Sequence, residues 1–109
     1  MGSATPVRDT LTDMTAVSLN NCQLDPRELM IARIAALVAS DAPAASYLLN
    51  IPSSADAGVT VEDVQAILVG VAPVVGSPRV VDAALRITDA LGFAIAVLIE
   101  EEEAAASTS

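Results

Sequence analysis

The segment LDPRELMIARIAALVAS, residues 24–40, decides the fold. Asp25 can cap a helix, Pro26 suits its first turn, and Glu28 follows the cap at the three-residue spacing of a capping box. The body of the helix is apolar almost all round and is interrupted only by Arg33. Because a helix without a polar face is buried on most sides, this segment predicts the central helix of a bundle.

Helix signals also lie on both sides of this segment. Residues 6–20 predict a first helix, which the pair Asn20-Asn21 would end. After residue 40, Asp41 would cap a short helix, and Pro52 with the two serines behind it would end that helix. The chain therefore predicts one helix before the central segment and a short one after it.

The second half of the chain predicts two further helices. Thr60, with Asp63 three residues later, has the spacing of a capping box, and Pro73 followed by Gly76 would end that helix. The Ser77-Pro78 pair again places a cap before a proline, which indicates the start of the last helix. No segment requires a β-strand, so the predicted fold is an all-α, compact helical bundle of about five helices.

The chain divides into three parts. We expect residues 1–6, which are small and polar, to form a disordered N-terminus. Residues 7–99 form one helical domain, and residues 100–109 form an acidic polar tail that is expected to fray. Apolar residues make up 53% of the 109 residues, which is more than so small a core can hide. The excess indicates further burial between subunits, and we expect a homo-oligomer.

The charge and the cysteine content exclude several classes of function. The net charge of −9 opposes binding to the phosphates of nucleic acids and to anionic lipid surfaces. The longest apolar run, residues 93–99, is too short to cross a bilayer, and the first residues do not resemble a signal peptide. We therefore expect a cytoplasmic protein. Cys22 is the only cysteine and histidine is absent, so we predict neither a metal site nor a cofactor.

Two long segments resemble a known family. LDPRELMIARIAALVA and AGVTVEDVQAILVGVAPVVGSPRVVDAALRITDAL, within Leu24–Leu91, are similar to the carboxymuconolactone decarboxylase and AhpD-like alkylhydroperoxidase family. The most telling pieces are Arg27-Glu28-Leu29 and Ala57-Gly58-Val59-Thr60, the second followed by Glu62-Asp63. The resemblance implies an all-helical subunit of the AhpD-like type that assembles into trimers or hexamers. This agrees with the apolar excess in the composition.

The resemblance also predicts where a redox motif would lie. In the peroxidase members, a Cys-x-x-Cys pair is followed four residues later by a histidine, with a glutamate upstream. Counting back from Gly58 places these three positions at Pro43, Ser46 and Asn50. Counting forward from Glu28 places them at Ser40, Pro43 and Tyr47. Neither register contains a cysteine or a histidine. A dithiol cycle needs a thiolate and a second thiol, so one subunit of this chain lacks the means for it.

Five residues remain as candidates for a site. Glu28 and Tyr47 are the candidate catalytic pair, because a buried carboxyl group can have its pKa raised and then transfer protons without histidine. Arg33, Ser46 and Asn50 are candidate binding residues, and Arg33 suits a small anionic ligand. Both residues of the candidate catalytic pair have a structural alternative: Glu28 as a capping carboxylate, and Tyr47 packed with its hydroxyl at the rim.

The residues support three interpretations of function. The first is a family member without the redox cysteines that acts as a non-peroxidatic structural or small-ligand-binding oligomer rather than as an enzyme. The second is a lyase or isomerase that acts on a small anionic substrate by Glu-based proton transfer. The third is a protein-interaction module that uses the apolar segment 93–99. A cavity shared by Glu28 and Tyr47 would favour the enzyme, and an exposed 93–99 face would favour the module.

Overall fold

A computed structural model describes residues 4–108, without the side chains of Phe93, Val97, Leu98, Ser107 and Thr108. The described residues form five α-helices and no strand: α1 (Pro6–Asn21), α2 (Pro26–Ala39), α3 (Ala44–Asp56), α4 (Val61–Val75) and α5 (Ser77–Thr108). The prediction of an all-α bundle with about five helices is confirmed. Within the predicted disordered N-terminus, residues 1–3 lie outside the described residues, and Pro6 is already the first residue of α1.

Helix α2 packs against α3, α4 and α5, as expected for the central helix. Its buried residues Met30, Ile34 and Val38 recur every four positions and therefore lie along one face. Ala32 and Ala36 are exposed, so α2 is buried along that face and not on most sides as predicted. Val38 belongs to the core cluster, whose other buried members come from α3, α5 and the α2–α3 loop: Ala42, Tyr47, Ala83 and Ala90.

The α2–α3 junction differs from the prediction. Asp41 has a left-handed backbone with φ of 58° and ends α2. The N–H of Asp41 donates to the carbonyl of Val38 at 3.3 Å, and that of Ala42 donates to Leu37 at 3.0 Å. This pair of bonds is a Schellman motif, in which the left-handed residue satisfies the last carbonyls of a helix. Asp41 therefore does not cap α3, which begins after Pro43 without a side-chain cap.

The prediction that Pro52 ends the third helix is wrong. Helix α3 continues through Pro52 to Asp56, and a second Schellman motif ends it. There the N–H of Gly58 donates to Ala55 at 3.0 Å and that of Val59 donates to Ser54 at 2.9 Å. Gly58 has a φ of +82°, which a residue without a Cβ adopts at little cost. Packing of α3 on α2 and α5 outweighs the local preference of the proline.

The last two helices also run further than predicted. Helix α4 passes through Pro73 and ends at Gly76, so Gly76 alone is its stop signal. Helix α5 is 32 residues long and continues through Gly92 and the four glutamates to Thr108. Residues 100–108 of the predicted acidic tail thus belong to the last part of α5, as glutamate and alanine are strong helix formers. None of the helices in the described residues combines the length and the apolar stretch needed to cross a membrane.

Helix α1 confirms its prediction but packs on none of the other described helices. All of its residues are exposed, including the apolar side chains of Val7, Leu11 and Met14. A side-chain hydrogen bond reaches it from α2, where Nη2 of Arg33 donates to Oγ of Ser18 at 3.1 Å. The apolar face of α1 therefore lacks the burial that normally stabilises a helix in a protein. Without such burial, a helix of this length is only marginally stable in water.

Candidate functional site

A cavity of about 390 Å³ lies between α3, α4 and α5, next to the buried face of α2. Helix α3 contributes one wall, α4 and its N-terminal loop a second, and α5 a third. The wall is mainly aliphatic, with side chains such as Ile51, Val64, Leu68, Ile87 and Leu91. None of the described residues that line the cavity carries a charge. The arrangement is that of a small-molecule pocket, which is typically concave, mostly apolar and equipped with a few polar groups.

Two buried hydroxyl groups in the wall of this cavity have no hydrogen-bond partner within the described residues. They are the phenol oxygen of Tyr47 and Oγ of Ser54, whose residues are only 5% and 8% exposed. Other hydroxyls of the same wall are satisfied: Oγ1 of Thr88 donates to Ala84 at 2.8 Å, and Oγ1 of Thr60 accepts from a backbone N–H at 3.1 Å. A buried polar group left without a partner costs about 1–3 kcal/mol. Two hydroxyls in one wall therefore have hydrogen-bonding capacity that the described residues do not use.

The geometry of α3 places the residues that carry these hydroxyls beside the cavity, while neighbouring protein atoms cover the oxygen atoms themselves. Tyr47, Asn50 and Ser54 all line the cavity, and their spacing of three, four and seven residues puts them on one face of the helix. Nδ2 of Asn50 donates to the carbonyl of Ser46 at 2.8 Å, which holds the amide against its own helix. One face of α3 thus carries three polar residues along an otherwise aliphatic wall.

Tyr47 stays protonated in this environment. Burial raises the pKa of its phenol above the ordinary value of 10.0. Two smaller effects act in opposite directions, since the Arg86 guanidinium lowers this pKa and the Asp41 carboxylate raises it. Arg86 and Asp41 form an ion pair with each other, and Nη1 of Arg86 also donates to the carbonyl of Asp41 at 3.1 Å. The hydroxyl of Tyr47 is therefore a neutral group that can both donate and accept.

The structure separates the residues predicted as a site. Tyr47 and Asn50 line the cavity, whereas Glu28, Arg33 and Ser46 are not part of its lining. Glu28 lies exposed at the start of α2, where its backbone N–H donates to the Asp25 carboxylate at 2.9 Å. A hydrogen bond between the side chains of Glu28 and Asp25, followed by the negative charge of Asp25, raises the pKa of the Glu28 carboxyl group. This shift comes mainly from the neighbouring Asp25 at the helix start, away from the cavity, so the predicted pair of Glu28 and Tyr47 is not brought together.

Ser54 is the cavity residue that sequence reasoning missed. The prediction that Pro52 ends the helix removes the residues beyond it from the helix face that carries Tyr47. The signal was nevertheless present, because residues 47 and 54 are two helical turns apart. A continuous helix through the proline would have predicted that both hydroxyls lie on one side.

Other side chains with reactive chemistry do not gather into a second site in the described part of the chain. No group of three or more histidine, cysteine, aspartate or glutamate residues there is placed to hold a metal ion. Cys22 is a free, half-buried thiol at the C-terminus of α1. It is not among the residues that line the cavity.

The five helices and the uncharged cavity define a small all-helical protein with room for an organic ligand. The comparisons with known proteins then give the family. The chain belongs to the carboxymuconolactone decarboxylase family, whose model matches residues 6–90. This match runs from the first residue of α1 into α5 and contains every residue that lines the cavity except Leu91. No curated protein and no solved structure matched the chain. The resemblance predicted from residues 24–91 is thus confirmed at the level of the family.

Proposed function

We propose that this chain is a non-peroxidatic family member that binds a small, largely apolar molecule in the cavity between α3, α4 and α5. One observation carries the proposal: an uncharged cavity of about 390 Å³ with two buried hydroxyls that lack partners within the described chain. This volume lies at the lower end of the range of about 300–1,000 Å³ for small-molecule sites. The hydroxyls give such a site polar groups that can orient a ligand.

The thiol content supports a role other than dithiol chemistry. The 109 residues contain one cysteine and no histidine. Cys22 follows directly after the last residue of α1, and it is not among the residues that line the cavity. A peroxidatic cycle needs a second thiol to resolve the oxidised one. We therefore assign the cavity to binding and not to reduction of a peroxide.

Self-association is part of the same proposal. Large apolar side chains are exposed on several helices, among them Leu11 and Met14 on α1 and Val69 and Val74 on α4. Exposed apolar surface of this kind typically marks an interaction site. Together with the assembly implied by the family resemblance, it supports a homo-oligomer, with a trimer or hexamer as the expected form.

The two alternative functions gain less support. Glu-based proton transfer on a small anionic substrate would need Glu28 at the cavity, and Glu28 is exposed elsewhere. For an interaction module at residues 93–99, Ile95 and Ile99 are exposed, whereas the side chains of Phe93, Val97 and Leu98 lie outside the described residues. Neither alternative explains why Tyr47 and Ser54 bury unpaired hydroxyls.

The binding proposal can be tested with N-phenyl-1-naphthylamine, a neutral apolar dye that fluoresces when it leaves water. Ala84 lines the cavity from α5, so Ala84→Leu adds a bulky side chain to the wall. The leucine occupies space that the dye needs, and an overpacking penalty of about 1–3 kcal/mol predicts dye binding that is about 5- to 150-fold weaker.

The matched control is Ala66→Leu, which adds the same atoms at an exposed position on α4 outside the cavity. Its dye affinity should equal that of the unmodified chain. If Ala84→Leu and Ala66→Leu bind the dye equally well, the dye occupies another surface and the cavity does not bind ligands as proposed. Size-exclusion chromatography of both variants must show the same assembly, so that a changed oligomer does not imitate a filled cavity.

A further inference from the structure

We propose that the cavity selects an uncharged, elongated molecule with an apolar middle and a neutral oxygen group, hydroxyl or carbonyl, near each end. One oxygen group would bond to the phenol of Tyr47 and the other to Oγ of Ser54. The inference rests on the proposed function, because it specifies the ligand class of the same cavity. The ligand is thus specified by its lack of charge, by an oxygen group near each end and by the length of the apolar part between them.

The neutrality of the ligand follows from the lining. No described residue of the wall is charged, and a carboxylate or ammonium group moved into such a space loses its hydration without gaining an opposite charge. The guanidinium near Tyr47 is that of Arg86, and it is already paired with the Asp41 carboxylate. Nη1 of Arg86 also donates to the carbonyls of Asp41 at 3.1 Å and Ala42 at 3.3 Å. The cavity therefore lacks a free cation for the small anionic ligand expected from the sequence.

The two polar ends follow from the spacing of the hydroxyls. Tyr47 and Ser54 are seven residues apart on α3, so their Cα atoms lie about 10 Å apart along the helix axis. Long helical side chains lean toward the N-terminus, so the Tyr47 phenol is expected to lean away from Ser54, and one oxygen atom is not expected to reach both hydroxyls with bonds of about 3 Å. Two separate oxygen groups are required, joined by a skeleton that matches the aliphatic side chains between the two hydroxyls. A ten-carbon chain with an oxygen at each end has eleven bonds and spans about 13 Å when extended, which is enough to cover this separation.

Both hydroxyls are ready to bond to neutral groups. Burial raises the pKa of Tyr47, so its oxygen keeps its proton and can donate to a carbonyl or a hydroxyl. Ser54 has one donor and two acceptor sites, and none of them is used within the described residues. Both oxygens are covered by neighbouring protein atoms, so binding requires a small shift of the wall that brings them into contact with the ligand.

The test compares three ten-carbon probes that compete with the naphthylamine dye at pH 7. Decane-1,10-diol has an oxygen at both ends, decan-1-ol at one end, and decanoate has a charge. We expect the diol to displace the dye at least as well as the alcohol does. We expect decanoate to be at least about tenfold weaker, because its charge would be buried without a partner.

The variants Tyr47→Phe and Ser54→Ala each remove one hydroxyl while keeping the shape of the wall. Each should weaken the diol about five- to tenfold, the effect of one lost hydrogen bond of about 1–1.4 kcal/mol. Each should also make the alcohol the better competitor, because one end of the diol is then buried without a partner. Dye affinity is measured for each variant, so that the competing probes are compared at equal dye occupancy.

The outcomes separate the two proposals. If the dye binds in the cavity but the diol and the alcohol compete equally in all three proteins, the ligand class is wrong and the binding function stands. If decanoate competes best, the neutrality argument is wrong. If filling the cavity with Ala84→Leu leaves dye binding unchanged, the binding function itself fails, and the ligand class fails with it.

Discussion

Polar groups at the N-termini of α2 and α4 are hydrogen-bonded within the chain, whereas two hydroxyls on the cavity face of α3 have no partner within the described residues. At the surface, Asp25 and Thr60 each accept a backbone N–H three residues on, at 2.9 and 3.1 Å. In the interior, Tyr47 and Ser54 bury hydroxyls without a partner in the described chain. Water could have satisfied the first pair of groups, and it is excluded from the second. The exposed N-termini of α2 and α4 are therefore capped by their own side chains. The two buried hydroxyls beside the cavity keep hydrogen-bonding capacity that the described residues do not use.

The N-termini of α2 and α4 are also joined to each other. Nη2 of Arg27 lies 2.7 Å from Oδ1 of Asp63, and Oδ2 of the same carboxylate accepts the N–H of Thr60 at 2.9 Å. One aspartate therefore closes a capping box and holds a second helix. The pair is partly exposed, so the ion pair itself contributes little, and the cap is the main source of stability here.

The largest expected effect is the loss of this cap. Thr60→Ala removes the hydroxyl that accepts the N–H of Asp63 and should lower the free energy of unfolding by about 1–2 kcal/mol. Urea unfolding at a fixed protein concentration measures the change. The matched control is Thr12→Ala on α1, whose hydroxyl only returns to a carbonyl of its own helix, and this variant should be near neutral. Equal losses for Thr60 and Thr12 would remove the special role of the cap.

A smaller effect, of opposite sign, is expected in the cavity wall. Ser54→Ala removes an unpaired buried hydroxyl and should raise the free energy of unfolding by about 1 kcal/mol. Ser53→Ala, at the exposed neighbouring position, serves as the control and should change stability by less than about 0.5 kcal/mol. A clear loss of stability for Ser54→Ala would mean that the hydroxyl has a partner in solution.

The smallest effect is the pH dependence of the exposed caps. The N–H of Thr60 is the main reason why the pKa of Asp63 lies below its ordinary value of 3.8. A carboxyl group with a lowered pKa stabilises the folded state above its unfolded pKa, and this contribution is lost as the pH falls through the folded pKa. The free energy of unfolding should therefore decrease as the pH falls below about 4, and this decrease should be less steep in Asp63→Asn.

The predictable parts of the fold are those that depend on neighbouring residues. The caps at Asp25 and Thr60 were found because a capping box needs only four consecutive positions. Pro52 and Pro73 were misjudged, because a proline inside a helix costs about 3 kcal/mol locally and packing between distant helices can exceed this. The role of Asp41 in ending α2 depends in part on Arg86, which is 45 residues away and carries no signal in the local sequence.

The candidate site was predictable only in part for the same reason. Tyr47 and Asn50 were found through their positions in the family pattern, and both line the cavity. Glu28 and Arg33 were included for their chemistry, and the structure uses them at the α2 start and in a bond to Ser18. Ser54 was missed, because its membership of the same face depends on a helix that continues through a proline.

The stability of Tyr47→Phe with and without decane-1,10-diol decides whether the buried phenol is kept for a ligand. Without the diol, Tyr47→Phe should be more stable than the unmodified chain by about 1 kcal/mol, because it no longer buries an unpaired hydroxyl. At a saturating diol concentration this advantage should disappear, because the five- to tenfold tighter binding of the diol by the unmodified chain offsets about 1–1.4 kcal/mol. If Tyr47→Phe is less stable in both conditions by the same amount, the hydroxyl serves the fold, and the claim that it is kept for a ligand is wrong.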